Sequence, residues 1–376
     1  MAQEMHKISM SKCGLTPARI AVVFCLLLAV GCVISPRRTL GGGGGTPTPT
    51  PTLTPTPTPN PAAAGKLYVM NTTTNSLLRF DNAFTANGNA TPAATIFGTS
   101  TTFNSPNFIT LDAANDRLYI ADTSDLSIVI YDTISTKNGN VAPNRTIAGS
   151  ATTLIAPTDV AFDRVRNQLY VLDDPKILVF GSTSLATGGN VSPTRSLSTA
   201  FIAGASAIFL DAANDRLFAA DLDGAIAIYD NASTLPTGAI NPSRTIQGAS
   251  TQLGNPDGIQ LDGQGRLIVS NAGNTAAAIP SSITIYSSAA IASGGNVAPV
   301  AQIAGSNTGM SVPNQIVVDP FGTGTVYNAD PGAARIAVFA NLSTATGNIA
   351  PTRKISGSST GMTASGPVGV ALDNTR

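Results

Sequence analysis

The chain reads as an all-β protein, a six-bladed β-propeller of four-stranded antiparallel blades, and three observations predict it. The stretch 106–122, PNFITLDAANDRLYIAD, returns in partial copies to the end of the chain, and its core DAANDRL at 112–118 is repeated unchanged at 211–217. The aspartates that close the first apolar run of each copy, Asp112, Asp163, Asp211, Asp262, Asp319 and Asp373, are spaced by 51, 48, 51, 57 and 54 residues. Periods of roughly 40–50 residues with several strands per repeat mark propeller blades. The third observation is that each copy breaks into four short β segments bounded by turn residues.

In chain order, the first element is a leader. His6, Lys7, Lys12 and Arg19 precede an apolar run over 20–30, which ends in Ala29-Val30-Gly31-Cys32. The run is too short for a comfortable membrane span and fits a secretory signal, residues 1–31. Its end resembles the lipobox of bacterial lipoproteins, and that resemblance implies that Cys32 is acylated as the first residue of the mature chain. Val33 in place of Asp then favours the outer membrane over the inner one.

Residues 32–64 form a linker by composition. Glycines at 41–45 are flexible, and the Thr-Pro repeat at 46–61 favours extended polyproline II at roughly 3.1 Å per residue. Cys13, Cys25 and Cys32 all lie in or at the end of the leader, so the domain at 65–376 can form no internal disulfide and must be held by burial. The whole chain has 21 basic and 21 acidic side chains; the leader carries three and one of them, leaving 18 and 20. A domain of that charge offers no basic face to nucleic acid.

In the second unit the expected strands are 108–111, 118–121, 127–131 and 145–148. Asn115 and Asp116 turn the first hairpin, because both tolerate left-handed backbone. A Gly-Asn step followed by Pro recurs in the third connection, as at Gly139-Asn140 and Pro143, and is expected to be a turn. Units two to six are complete. The segment 368–373 supplies a first strand without partners and 67–70, 77–80 and 94–97 supply three strands without a first, so the ring should close by pairing the two ends of the domain in one blade. Protecting sheet edges by radial repetition is the physical reason for such closure.

The pattern Asp-x-x-x-x-Arg-Leu-Tyr-x-Ala-Asp followed by Ile-x-Val-Phe, as in Arg335-Ile-Ala-Val-Phe339, resembles NHL-type repeats and the six-bladed propellers of the gluconolactonase kind. It spans essentially all of 65–376. The third-strand Arg of that pattern stands here only at Arg79 and Arg335.

His6 is the only His and Glu4 the only Glu, and both leave with the signal. Ser-His-Asp triads, Cys-His dyads and His-ligated zinc are therefore excluded from the mature chain. If each first strand starts at an upper rim, the residue after the opening position lines the channel mouth: Asn107, Thr158, Ser206, Asp257, Asn314 and Val368. By resemblance to gluconolactonase-like enzymes, Asn107, Asp257 and Asn314 would be the ligands of a divalent metal, with calcium the ion such hard oxygens would take. Asn71, Asp122, Asp173, Asp221, Asn271 and Asp330 end the second strands and are expected to cap the turns that follow them. The aromatic residues at fixed strand places, among them Tyr68, Tyr119, Tyr170 and Phe218, should pack between blades. Blade five carries an insertion at 272–280 on the same upper face as Asp257.

The expected function is a lipid-anchored extracytoplasmic binding or scaffolding module of the bacterial cell envelope, at the outer membrane or cell surface. It would be a monomer that holds a protein, glycan or small molecule on its upper face through Asn107, Asp257 and Asn314. The alternative is a divalent-metal-dependent hydrolase or lactonase with its site at the channel mouth.

Overall fold

Each repeat becomes one radial sheet. The computed structural model describes residues 64–198, 201, 204–319 and 324–376. The chain divides into units Met1–Thr50 and Pro51–Arg376, and the first lies wholly outside the described residues, as do Cys32 and the leader. Blade two shows the common plan: an inner strand Pro106–Asp112, then Arg117–Asp122, Ser127–Asp132 and an outer strand Arg145–Ala148, each antiparallel to the one before. The other inner strands are Pro157–Asp163, Ala205–Asp211, Pro256–Leu261, Ile316–Asp319 and Pro367–Asp373. Six such sheets stand in a ring.

The strand sequences explain why the sheets stand radially. Ser127–Asp132, SIVIYD, is buried at five of six positions, a near-continuous apolar run rather than an alternating one. Such runs belong to sheets covered on both faces. The cover comes from neighbours: six apolar clusters each join the facing sides of two adjacent blades. Between blades one and two, Tyr68, Met70 and Leu77 meet Ile109, Leu118 and Tyr131. The repeated aromatics Tyr68, Tyr119, Tyr170, Phe218 and Tyr327 are buried there as expected.

The two ends of the domain share blade one. Lys66–Asn71 pairs with Pro367–Asp373 in the register Leu67↔Leu372, Val69↔Val370 and Met70↔Gly369. The hairpin turn of blade two also follows expectation, with Asp116 at φ +53° and Asp112 holding the side chain of Asn115 at 2.7 Å.

Two expectations are corrected. The Gly-Asn connections are more than turns: each glycine pairs in parallel with the outer strand of the preceding blade, as in Ile96↔Gly139 and Ile147↔Gly189. The Asn Oδ1 beside it accepts a backbone N–H from the loop that follows that outer strand, at 2.8 Å for Asn140 from Ser100 and 2.7 Å for Asn190 from Ala151. The segment is thus a latch between blades. Second, the aspartates ending the second strands do not in general cap the following turn. Asp122 accepts the N–H of Asn104, Asp173 those of Ile155 and Ala156, and Asp330 those of Ser311 and Val312. These amides lie in the loop entering the inner strand, which the antiparallel pairing brings beside the end of the second strand. The expected bond to the following turn is made by Asp221, through Asp223 N, by Asp122, through Asp125 N, and by Asn71, whose Nδ2 donates to Thr74 Oγ1 at 2.7 Å.

Candidate functional site at the channel

The inner strands line the channel, and the residues expected at its upper mouth are the second strand residues of five blades and, in blade six, Asn314 just before the strand. In five of the six blades a β-bulge falls at this level, for example between Pro256 and Gly258. Bulges often re-aim side chains beside functional sites. Neighbouring blades are tied at the same rim by hydroxyls: Thr123 Oγ1 donates to the Pro157 carbonyl at 2.7 Å and Ser206 Oγ to that of Pro256 at 2.5 Å.

Asn107, Asp257 and Asn314 are each half-buried at this level. Burial pushes the Asp257 carboxyl up to about 7, and no hydrogen bond or ion pair from the described residues reaches it to bring it back. Asn314 differs, because its Oδ1 accepts the N–H of Gln315 at 2.9 Å. Asp159, one position deeper in blade three, is fully buried; its two oxygens accept the N–H groups of Val160 at 2.7 Å and Ile208 at 2.8 Å. Burial raises its pKa well above the usual carboxylate range, and the charge of Asp257 adds to the rise.

This donor set does not fit a divalent cation. Calcium takes about six to eight oxygens, with carboxylates prominent among them. Here one carboxylate stands without a partner, the Asn314 oxygen and both Asp159 oxygens already hold amide protons, and no three acidic, imidazole or thiol side chains converge among the described residues.

The next repeat position, the third strand residue in five blades and Gln315 just before the strand in blade six, forms a layer that sequence reasoning did not single out: Phe108, Asp159, Ala207, Gly258, Gln315 and Gly369. Phe108 is buried and reaches the cluster between blades four and five on the far side of the ring. Gln315 spans to two other blades, accepting from Val370 N at 2.7 Å and donating to the Ile109 carbonyl at 3.1 Å. The small partners are required. A Cβ on Gly258 would lie 2.7 Å from the Asn314 carbonyl, and one on Gly369 would lie 2.8 Å from that of Asn107. Three long side chains against three small residues at one repeat position was the readable signal.

Beyond this layer, on the face of the first hairpin turns, lies a cavity of about 350 Å³. All six inner strands contribute, through Leu111, Phe162, Phe209, Leu261, Val317 and Leu372 among others, and Arg164 and Asn374 stand at its mouth. Asn107, Asp257 and Asn314 are not among its walls. The insertion of blade five is a small hairpin at the opposite, upper rim, closed by Asn274 N to Ile279 O at 2.8 Å and its reciprocal at 2.9 Å.

Several solved structures resemble this one at low sequence identity. A chain of the nidogen/laminin complex is 13% identical and aligns over 82% of this chain and 98% of its own, with a TM-score of 0.55. A functionally unknown protein from Desulfotomaculum acetoxidans (12% identical, 76% of this chain and 78% of that one, TM-score 0.49) and hydrazine synthase from Kuenenia stuttgartiensis (16%, 64% of each, 0.45) superpose more loosely. No protein-family model and no curated protein sequence matches the chain.

Proposed function

We propose that this propeller is a binding module, tethered to the bacterial envelope through a lipid on Cys32, which holds a macromolecular partner on its upper face. One observation carries the reading. Of the six large apolar side chains exposed among the described residues, five stand in upper-rim loops: Phe97, Leu126, Ile155, Leu222 and Val312. Only Val300 is on the opposite rim. Apolar side chains exposed singly are ordinary, but their confinement to one rim, around an unpartnered Asp257, is what a recognition face requires. The ring of blades supplies the rigid support, as rigid scaffolds do for binding loops.

The hydrolase reading has no comparable support, because the mature chain lacks His and Glu and its channel-mouth oxygens do not make a metal site. The proposal is tested by photo-crosslinking in intact cells from a probe at Leu126 or Leu222. Specific adducts are expected, and they should be lost when Phe97, Ile155 and Val312 are changed to Ser or when Asn107→Ala, Asp257→Asn and Asn314→Ala are combined. Cys32→Ser should remove palmitate labelling. Adducts that survive both sets of upper-face changes would refute the face, and retained labelling would refute the anchor.

A further inference from the structure

The cavity on the hairpin-turn side belongs to none of this. We infer that it is a second binding site, for a small amphiphile with a carboxylate head and an apolar body, of the size and chemistry of a medium-chain fatty acid. At about 350 Å³ it falls in the roughly 300–1,000 Å³ range of small-molecule sites, which are mostly apolar with a few placed polar groups.

Its own walls expose about as much polar as apolar surface, so it fits a ligand of both characters. Leu111, Phe162, Phe209, Leu261, Val317 and Leu372 are only partly buried, although they lie in the strands nearest the axis. They present apolar surface to the cavity while their backs pack on the inter-blade clusters. Burying that surface under a ligand is favourable at roughly 25 cal/mol per Å². Its lining stops at the layer of Asp159, Ala207, Gly258 and Gln315 and includes none of the upper-ring residues. It is also preformed, since Phe162 is stacked on Tyr119 with centroids 5.0 Å apart.

The charges orient the ligand. The inner end holds the buried Asp159, whose two oxygens already accept the N–H groups of Val160 and Ile208 and offer an anionic head no donor. At the mouth stands Arg164, exposed, with no ion pair or hydrogen bond to its guanidinium among the described residues. Its acidic neighbour in the wall, Asp112, already holds the N–H and side-chain amide of Asn115. A carboxylate at Arg164 with the tail pointing inward satisfies both ends. Also in the wall, the Thr110 hydroxyl and the Gln260 Nε2 have no hydrogen-bond partner among the described residues, while Gln260 Oε1 accepts Val318 N at 2.6 Å. These two donors suit a ligand with an oxygen along its chain.

The test measures binding to the purified full chain in detergent-free buffer by calorimetry, with decanoate, 1-decanol and decyltrimethylammonium as probes. Decanoate should bind and the cation should not. Arg164→Ala should weaken decanoate about three- to fivefold, the scale of an exposed ion pair, and leave decanol unchanged. Ala114→Trp, in the exposed turn at the mouth, should weaken both at least tenfold without disturbing the core, and Leu261→Trp should do so from within. The upper-face changes should leave decanoate binding untouched, so this site and the partner face fail separately. Absence of decanoate binding by the folded wild-type chain, or equal affinity in the wild type and both Trp variants, overturns the proposal.

Discussion

Asp122, Asp257 and Asp132 carry the same side chain and are driven to opposite protonation behaviour. Burial raises Asp122 to about 7 against the opposing N–H groups of Asn104 and Asp125, and it raises Asp257 to about 7 with nothing opposing. Burial acts on Asp132 too, but hydrogen bonds and charge from Arg145 and Arg117 outweigh it and the pKa is lowered. Between pH 4 and 7 the unfolded chain has released the protons of Asp122 and Asp257 while the native state still holds them. Stability from these two groups therefore falls as pH rises through that window and is lowest above 7. Thermal denaturation from pH 4.5 to 8 should show this decline, and Asp257→Asn, which forfeits no hydrogen bond, should flatten it and raise the melting temperature at pH 8 by a few degrees. An unchanged slope in the variant would mean that Asp257 is ionised throughout.

At the scale of elements, the latch decides how blades stay together. Gly149 has φ +112° and ψ 172°, a region essentially reserved for glycine, and an added Cβ would sit 2.6 Å from Asn190 Oδ1. The same pairing recurs at Gly98 with Asn140, Gly248 with Asn296, Gly305 with Asn348 and Gly357 with Asn89. The exception is consistent on both sides. Blade four has Gly238-Ala239 in place of Gly-Asn, and Ser198 of blade three is followed by Thr199 rather than Gly. There the parallel pairing extends to two residues, Leu197↔Gly238 and Ser198↔Ala239, and Ile240 N adds a bond to Ser198 O at 2.8 Å. Backbone pairing stands in for the side-chain latch. Asn190→Ala should cost about 1 kcal/mol, one net hydrogen bond. Gly149→Ala should cost about 1–3 kcal/mol from backbone strain plus the clash, and the pair should cost less than the sum because the clash is gone. Urea denaturation of the three variants tests this; strict additivity would mean that the two residues do not touch.

At the scale of the molecule, the ring depends on its last strand. Val370 is 2% exposed and, with the partly buried Val368 and Leu372, belongs to the strand that completes blade one. Deleting 368–376 removes these side chains and uncovers the edge of Lys66–Asn71. At roughly 1.5–3 kcal/mol per fully buried aliphatic side chain the loss is at least about 4 kcal/mol, a large part of a domain's typical 5–15 kcal/mol. Deleting 41–61 takes no strand from any blade and should leave the melting temperature nearly unchanged. Equal melting temperatures for the two deletions would show that the terminal strand contributes nothing to closure.

The sequence alone determined the blade count, the four strands of each blade and the closure of the ring, because these follow from local patterns repeated six times. Asp112-Ala-Ala-Asn115-Asp116 encodes a hairpin wherever it occurs, and the C-terminal segment announces its missing partners by what it lacks. The absence of His and Glu from the domain was equally legible and removes most hydrolytic chemistry. Only the tertiary structure decided what depends on which repeats face one another. Gly149 and Asn190 are 41 positions apart and read as two turns until the neighbouring blade brings them together. Asp173 looks like a cap for the turn beside it, yet antiparallel pairing offers it the amides of Ile155 and Ala156 instead. Phe108 reads as the start of a first strand; only across the closed ring does it meet blades four and five. Contacts across a ring have no local signature, since their partners are set by closure and not by spacing.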